Sequence, residues 1–435
     1  MTPKENKTQK SNKLKYLLPI LLILGFVIWA SSSLMFKKSG EDAGELTKSG
    51  VESGKDLSKD SAFIKATQAD EDTTEKIIKM SSPLNSNYEG GYDEQAGKNV
   101  KCVYDGRRIN IAVIGLDARV GTVSNHADAN HILSIMPDKG IIEITSIPRD
   151  TPADAGMPDS TGQNKLTIVR AMKGRQAYLR EAAKIAGLDK IPYYVEVGFS
   201  QVMGILELLG YSDSKSALQV LRSRKGLGGD DFQRSYNQGQ FIRQTMLRHF
   251  SKTTGTLGDL LIRGGLALVE TNLTADITSN IVESLEKNGF GDNPEDVTIK
   301  VRPPMGMKFK VYDFSNKEVV NGLQHKIEGF NVKNGAADTK PSDKFNVSSK
   351  LWSAIHKAAA DSARKPQSVI ASLELLYSQR AWLQVENKDD RAKIRDSFET
   401  LLVGAYTKKK QNDKAKKVKE AIEKEKQLFQ KQIFN

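Results

Sequence analysis

The sequence is poor in the features that most quickly identify a protein. It has one cysteine, Cys102, in 435 residues. An intramolecular disulfide is therefore excluded, and so is a cysteine-rich metal site. None of the common zinc-site, phosphate-loop or zincin motifs occurs, and no clean internal repeat period is present. Hydrophobic residues make up only 38% of the chain. What is abundant is positive charge: lysine and arginine exceed aspartate and glutamate to give a formal net charge of +12. A basic balance suits acidic partners such as nucleic acid, phospholipid head groups or anionic polymers.

The N-terminus narrows that choice. Residues 1–15 carry five lysines and one acid, and residues 16–36, YLLPILLILGFVIWASSSLMF, hold no charge in 21 positions. As a helix this run reaches about 30 Å, enough for a hydrocarbon core. It reads as an uncleaved transmembrane anchor, with a cleaved signal peptide as the alternative. The leading lysines favour a cytoplasmic N-terminus, since only Lys37 and Lys38 directly follow the run. The bulk of the chain is then expected on the extracytoplasmic face of the cytoplasmic membrane, which argues against nucleic acid as the partner.

Residues 37–105 are rich in Ser, Gly, Lys, Asp and Glu and read as a spacer, with one helix near 70–80. From Arg108 the pattern changes. INIAVIG (109–115) is a β-branched run, and HILSIM (131–136) and IIEITSI (141–147) flank Pro-Asp-Lys-Gly as a hairpin would. Helical segments are expected at 166–187, 200–210, 214–225, 232–252 and within 267–287, and strands at 193–199, 297–303 and 309–314. Strands interspersed with helices give an α/β domain over 106–315 with a mixed central sheet flanked by helices. A polar linker is expected over 316–347. Residues 348–435 form a Lys-rich helical extension with an apolar stripe at 368–383, read as a solvated hairpin packed on itself, or as a surface for protein partners or polymer.

Pairing about the Pro137–Gly140 turn places residues opposite when their numbers sum to about 277, so Asp128 faces Arg149. Asp117, Arg119, Asp128, Arg149 and Asp150 then share one sheet edge, where α/β sheets place ligands. Two carboxylates there suit a hard cation such as Mg²⁺, or Mn²⁺; an ordinary cross-strand ion pair and a turn aspartate are the structural alternative. A second cluster lies in QVLRSRKGLGGDDFQRSYNQGQ (219–240). Arg222 and Arg224 end one helix, Asp231 can cap the next, and Arg234 and Gln238 fall on one face four residues apart. Arginine forks match phosphate oxygens. Clustered arginines need a polyanion or enough acids, and Asp230 and Asp231 are the candidate acids.

NIAVIGLDAR (110–119), the Asp128 region with its hairpin, SIPRDT (146–151), YYVEVGF (193–199), ALQVLRSRK (217–225) and DFQRSYNQ (231–238) occur in that order. Together they resemble the LytR-CpsA-Psr family of membrane-anchored glycopolymer transferases, over about 106–290. The resemblance implies transfer of a glycosyl-1-phosphate polymer from a polyprenyl-pyrophosphate carrier to a hydroxyl, usually on peptidoglycan, assisted by Mg²⁺. It assigns Arg149, Arg222, Arg224 and Arg234 to the pyrophosphate, Asp117 and Asp128 to the metal, and Asp117 to the acceptor hydroxyl. Arg119 matches the family's first arginine, and Gln238 would bond the phosphate or fix an arginine. The chain departs from the family pattern at His126-Ala127, at Lys165–Val169 and at Asn237, and only eleven residues separate Gly210 from Arg222. Two alternatives stand beside transfer: a pyrophosphate hydrolase, and a non-catalytic lipid-binding scaffold recruiting envelope partners through its C-terminal helices.

Overall fold

A computed structural model describes residues 92–99, 106–123, 125–211, 213–227, 229–250, 256–333 and 346–430. The expected anchor at 16–36, most of the 37–105 spacer and the expected helix near 70–80 lie outside the described residues. Among the described residues no helix is long and apolar enough to cross a membrane.

The centre is a six-stranded mixed sheet. Its strands are β2 (Ile109–Leu116), β3 (Ala127–Met136), β4 (Ile141–Ile147), β5 (Tyr193–Val197), β6 (Glu270–Thr271) and β7 (Val297–Val301), in the order β6-β5-β2-β3-β4-β7. β3 is antiparallel to both neighbours, whereas β2 with β5 and β4 with β7 are parallel. The hairpin register is the expected one, with Asn130 opposite Ile147. The strands read as continuous apolar runs because both faces are covered. Ile111 and Val113 enter one core, and Ala112 and Ile114 enter the other. The second core is closed by α1 (Leu166–Ala186), which ends at Gly187 in the left-handed region.

The first core is closed by α2 (Phe199–Leu208), α3 (Ser214–Arg222), α4 (Asp231–His249), α5 (Thr256–Leu268) and α6 (Ala275–Lys287). α4 is a buried helix with many polar side chains. Its glutamines explain why the expected strand 309–314 is short. Only Phe309–Lys310 (β8) pairs as a strand, with β1 (Tyr92–Asp93) in a separate two-stranded sheet. Gln233 donates to Lys310 O and accepts from Lys310 N, while Gln244 donates to Tyr312 O and accepts from Phe314 N. Two side-chain amides thus satisfy the backbone groups a neighbouring strand would otherwise bond.

Three stretches differ from the reading by composition. Residues 92–99, grouped with the spacer, pack on the α/β unit: Ala96 is buried with Tyr236, Val301 and Phe309. Much of the 316–347 linker is a helix, α7 (Lys317–Lys333), which buries Val319, Val320, Leu323 and Ile327. The C-terminal region is four helices, α8 (Val347–Asp361), α9 (Pro366–Ser378), α10 (Lys388–Lys408) and α11 (Asn412–Gln430), and it does not pack only on itself. Its Leu373, Trp382, Leu383 and Leu428 join the first core of the α/β unit. Two glycines permit the approach. A Cβ on Gly264 of α5 would lie 3.1 Å from Leu428, and one on Gly204 of α2 would lie 2.9 Å from Leu383.

Candidate functional site

The site begins with an irregularity at the end of β2. Gly115 pairs with Ala129 and Leu116 with Ala127, so Asp128 is the extra residue of a bulge. Bulges re-aim a side chain. The Asp117 amide, just past β2, donates to His126 O at 3.0 Å. Arg149 follows β4 across Pro148, and its Nη1 donates to Asp128 Oδ1 at 3.0 Å. Thr167, in the first turn of α1, donates to the same oxygen at 3.4 Å, and its amide donates to Arg149 O at 3.1 Å.

Asp128 is 3% exposed. Burial raises its pKa; the Arg149 guanidinium works against that rise, and the Asp117 carboxylate adds to it. The two carboxylates therefore stand within Coulombic reach of each other. Arg222, the last residue of α3, lies over the Phe199 ring with its guanidinium carbon 5.0 Å from the centroid. Burial lowers its pKa to about 10, Asp117 and Asp128 oppose the fall, and Arg119 adds to it. Arg222 remains charged at neutral pH.

The second cluster joins the first. Asp230, not Asp231, caps α4: its carboxylate accepts from the amides of Phe232 and Gln233. Asp231 is thereby released to the arginines, pairing with Arg234 Nη2 and lying 3.5 Å from Arg224 Nε. Arg234 is 1% exposed, and burial lowers its pKa to about 10; Asp231 opposes the fall, while Arg224 and Arg149 add to it. Its Nε and Nη1 have no hydrogen-bond acceptor among the described residues. Arg119 is the exposed member, its side chain 60% accessible and its Nε 3.9 Å from Asp117 Oδ1.

Asp117, Arg119, Asp128, Arg149, Arg222, Arg224 and Arg234 are thus brought together. Gln238 stands behind them. Its Oε1 faces His131 Nε2 at 3.2 Å and its Nε2 donates to Leu221 O at 3.3 Å, so it holds the backbone next to Arg222 rather than an arginine side chain. His131 was not singled out from the sequence. It is buried, its Nδ1 lies 2.9 Å from Ser146 Oγ, and burial lowers its pKa to about 3. A polar residue in an apolar strand was the available signal.

The charge balance is uneven. Five arginines and Lys165 meet four aspartates, Asp117, Asp128, Asp150 and Asp231. Among the described residues no group of three or more His, Cys, Asp or Glu could hold a metal by itself. The pair Asp117 and Asp128 fits a weaker role: Mg²⁺ commonly takes one or two carboxylates and completes its shell with phosphate oxygens and water.

Residues 62–210 match the model of the LytR_cpsA_psr family, the family the sequence motifs resemble. The matched segment is about a third of the chain. It contains Asp117, Arg119, Asp128 and Arg149; Arg222, Arg224, Arg234 and Gln238 lie beyond it. No curated protein matches the chain. Solved structures similar to it include the protein gbs0355 from Streptococcus agalactiae, at 14% identity and a TM-score of 0.36, covering 51% of this chain and 88% of that one. TagV from B. subtilis aligns at 16% identity and a TM-score of 0.34, covering 52% and 99%. TagT bound to LIIa-WTA aligns at 15% identity and a TM-score of 0.32, covering 51% and 90%.

Proposed function

We propose that this chain is a phosphotransferase that moves a glycosyl-1-phosphate polymer from a polyprenyl-pyrophosphate carrier to a hydroxyl on an envelope polymer such as peptidoglycan. The observation that carries this reading is Arg234. Its buried Nε and Nη1 lack acceptors among the described residues, and it stands within Coulombic reach of Arg149, Arg224 and Asp128. Leaving buried donors unsatisfied costs about 1–3 kcal/mol or more for a charged group. A pyrophosphate supplies both the acceptors and the missing negative charge. The family match over 62–210 supports the same chemistry.

Phosphoryl transfer asks a protein for positioning and charge neutralisation more than for covalent groups. Arg149, Arg222, Arg224 and Arg234 bind the two phosphoryl groups, with exposed Arg119 at the mouth. The acceptor oxygen attacks the phosphorus that carries the glycan. A new O–P bond forms, and the bridging P–O bond to the lipid-side phosphate breaks, so the lipid leaves as a polyprenyl monophosphate. Asp117, partly exposed and next to Arg119, takes the hydroxyl proton. Asp128 holds Arg149 in place. Asp117 and Asp128 are the residues that would hold Mg²⁺, which when bound supplies further neutralisation of the developing phosphate charge. Residues 16–36 anchor the chain, with the site on the extracytoplasmic face.

The test uses the full chain in detergent with a polyprenyl-pyrophosphate-linked glycan, Mg²⁺ and peptidoglycan fragments, following release of polyprenyl monophosphate. Release in the wild type that Arg149→Ala and Asp117→Ala each reduce by 10³-fold or more supports the proposal. That magnitude is the order attributed to a single phosphate-stabilising arginine. Release that survives both substitutions would sink it.

A further inference from the structure

The loop that carries Asp117 and Arg119 is held from outside the α/β unit. Gln379 directly follows α9. Its Oε1 accepts from the Gly121 amide at 2.8 Å, and its Nε2 donates to Arg119 O at 3.1 Å and Thr122 O at 3.0 Å. Lys350 of α8 donates from Nζ to Val120 O at 2.7 Å. Four consecutive loop residues, Arg119 to Thr122, are therefore bonded through their backbone to the C-terminal helices. Gly121 makes this possible. Its φ of 73° lies in the left-handed region, and a Cβ there would meet Lys350 Nζ at 3.0 Å.

The clamp is itself braced. Gln379 is 7% exposed. Gln201 of α2 donates to Ser378 O at 3.1 Å while its Oε1 accepts from Gly198 N at 3.1 Å. α2 begins at Phe199, whose ring lies under Arg222. On the other side, Arg380 donates to Ala267 O of α5 at 2.8 Å. The same turn after α9 thus reaches the Asp117–Arg119 loop, the α2 start beneath Arg222, and α5.

We infer that the C-terminal helices are part of the site and that Gln379 is a positioning residue, fixing Arg119–Thr122 so that Asp117 and Arg119 face Asp128 and Arg222. A loop ordered before substrate arrives keeps its catalytic groups in reacting geometry. The catalytic consequence rests on the phosphotransfer reading; the loop-holding does not.

The experiment compares the full chain in detergent with Gln379→Met, which keeps the side-chain length and removes all three bonds, and with Lys350→Met. Hydrogen exchange of residues 117–123, thermal midpoint, and kcat and KM for the polyprenyl-pyrophosphate donor are measured together. The expected result is loop exchange at least tenfold faster, unchanged exchange in β2 and β3, and kcat down more than tenfold with KM moved less than threefold. A role in overall stability alone would instead lower the midpoint and speed exchange in the strands as well. Should Gln379→Met not fold, Lys350→Met, which removes one bond to the same loop, is expected to show the same pattern in weaker form. Unchanged loop exchange, or fast loop exchange with wild-type kcat, overturns the inference. A wild type that never turns over counts against phosphotransfer alone. Loop exchange and the affinity for Mg²⁺-pyrophosphate, expected to fall at least fivefold in Gln379→Met, then decide the inference, and unchanged values of both overturn it.

Discussion

Arg234 and His131 lie on one buried polar surface and respond to opposite demands. Arg234 keeps its charge in a buried place where Asp231 offsets it incompletely. A ligand that binds only the folded state stabilises it by about 2.7 kcal/mol at a hundredfold excess over Kd. Mg²⁺-pyrophosphate is therefore expected to raise the wild-type Tm by several degrees and to leave the Tm of Arg234→Met unmoved, as differential scanning fluorimetry would show. His131 is held neutral. Its folded pKa of about 3 lies below the ordinary value of 6.5, so between those values the unfolded chain binds more protons. Stability then rises with pH across that window and is lost as pH falls through it, by up to ~1.4 kcal/mol per pH unit. Urea unfolding of His131→Gln is expected to show a shallower acid limb by about that slope; an unchanged slope would refute the assignment. The sequence made Asp128 facing Arg149 legible, because turn position and strand period fix the register. It did not show that Asp230 rather than Asp231 caps α4, since either aspartate satisfies the local pattern. His131 was hidden for a different reason: its partners Ser146 and Gln238 are distant in sequence.

At the scale of elements, the sheet was readable wherever apolar runs are bounded by turn residues. β2, the β3–β4 hairpin and β5 all fall where period and turn chemistry place them. The misreadings share one cause, which is reliance on local composition where long-range partners decide. Residues 309–314 look like a strand, but Gln233 and Gln244 of α4 take the backbone groups of Lys310, Tyr312 and Phe314 that a neighbouring strand could bond. The 316–347 stretch looks like a linker, yet Val319, Val320, Leu323 and Ile327 are spaced for a helix and buried. Close helix packing carries its own prediction. A Cβ on Gly264 would lie 3.1 Å from the Leu428 side chain, so a larger residue must push Leu428 aside. Gly264→Val is expected to destabilise by roughly 1–3 kcal/mol, the usual penalty for overpacking. A Tm equal to wild type would show that α5 and α11 do not pack as described.

Over the whole molecule, the C-terminal helices change what a truncation means. A Lys-rich tail read as a solvated hairpin could be removed without harm to the site. The structure instead places Trp382, Leu383 and Leu428 in the common core and Gln379 on the Asp117–Arg119 loop. Each fully buried large apolar side chain is worth about 1.5–3 kcal/mol. Deleting 346–435 is thus expected to lower the Tm by more than ten degrees or to cause aggregation, as circular dichroism and light scattering would report. A truncated chain as stable and as active as the full one would overturn that view. No signal in the sequence joined Gln379 to Gly121, because the contact spans 258 residues and is made by an unremarkable side chain on a glycine amide.

On the phosphotransfer proposal, the converging arginines serve a pyrophosphate whose phosphorus is transferred. The most direct measurement follows the phosphorus itself. The full chain is given a polyprenyl-pyrophosphate-linked glycan, Mg²⁺ and an envelope acceptor, and the products are resolved by ³¹P NMR. Transfer is expected to give loss of the pyrophosphate signals and growth of a phosphodiester on the acceptor together with polyprenyl monophosphate. Lipid that binds and stays intact, or glycan phosphate released to water without joining the acceptor, would contradict it.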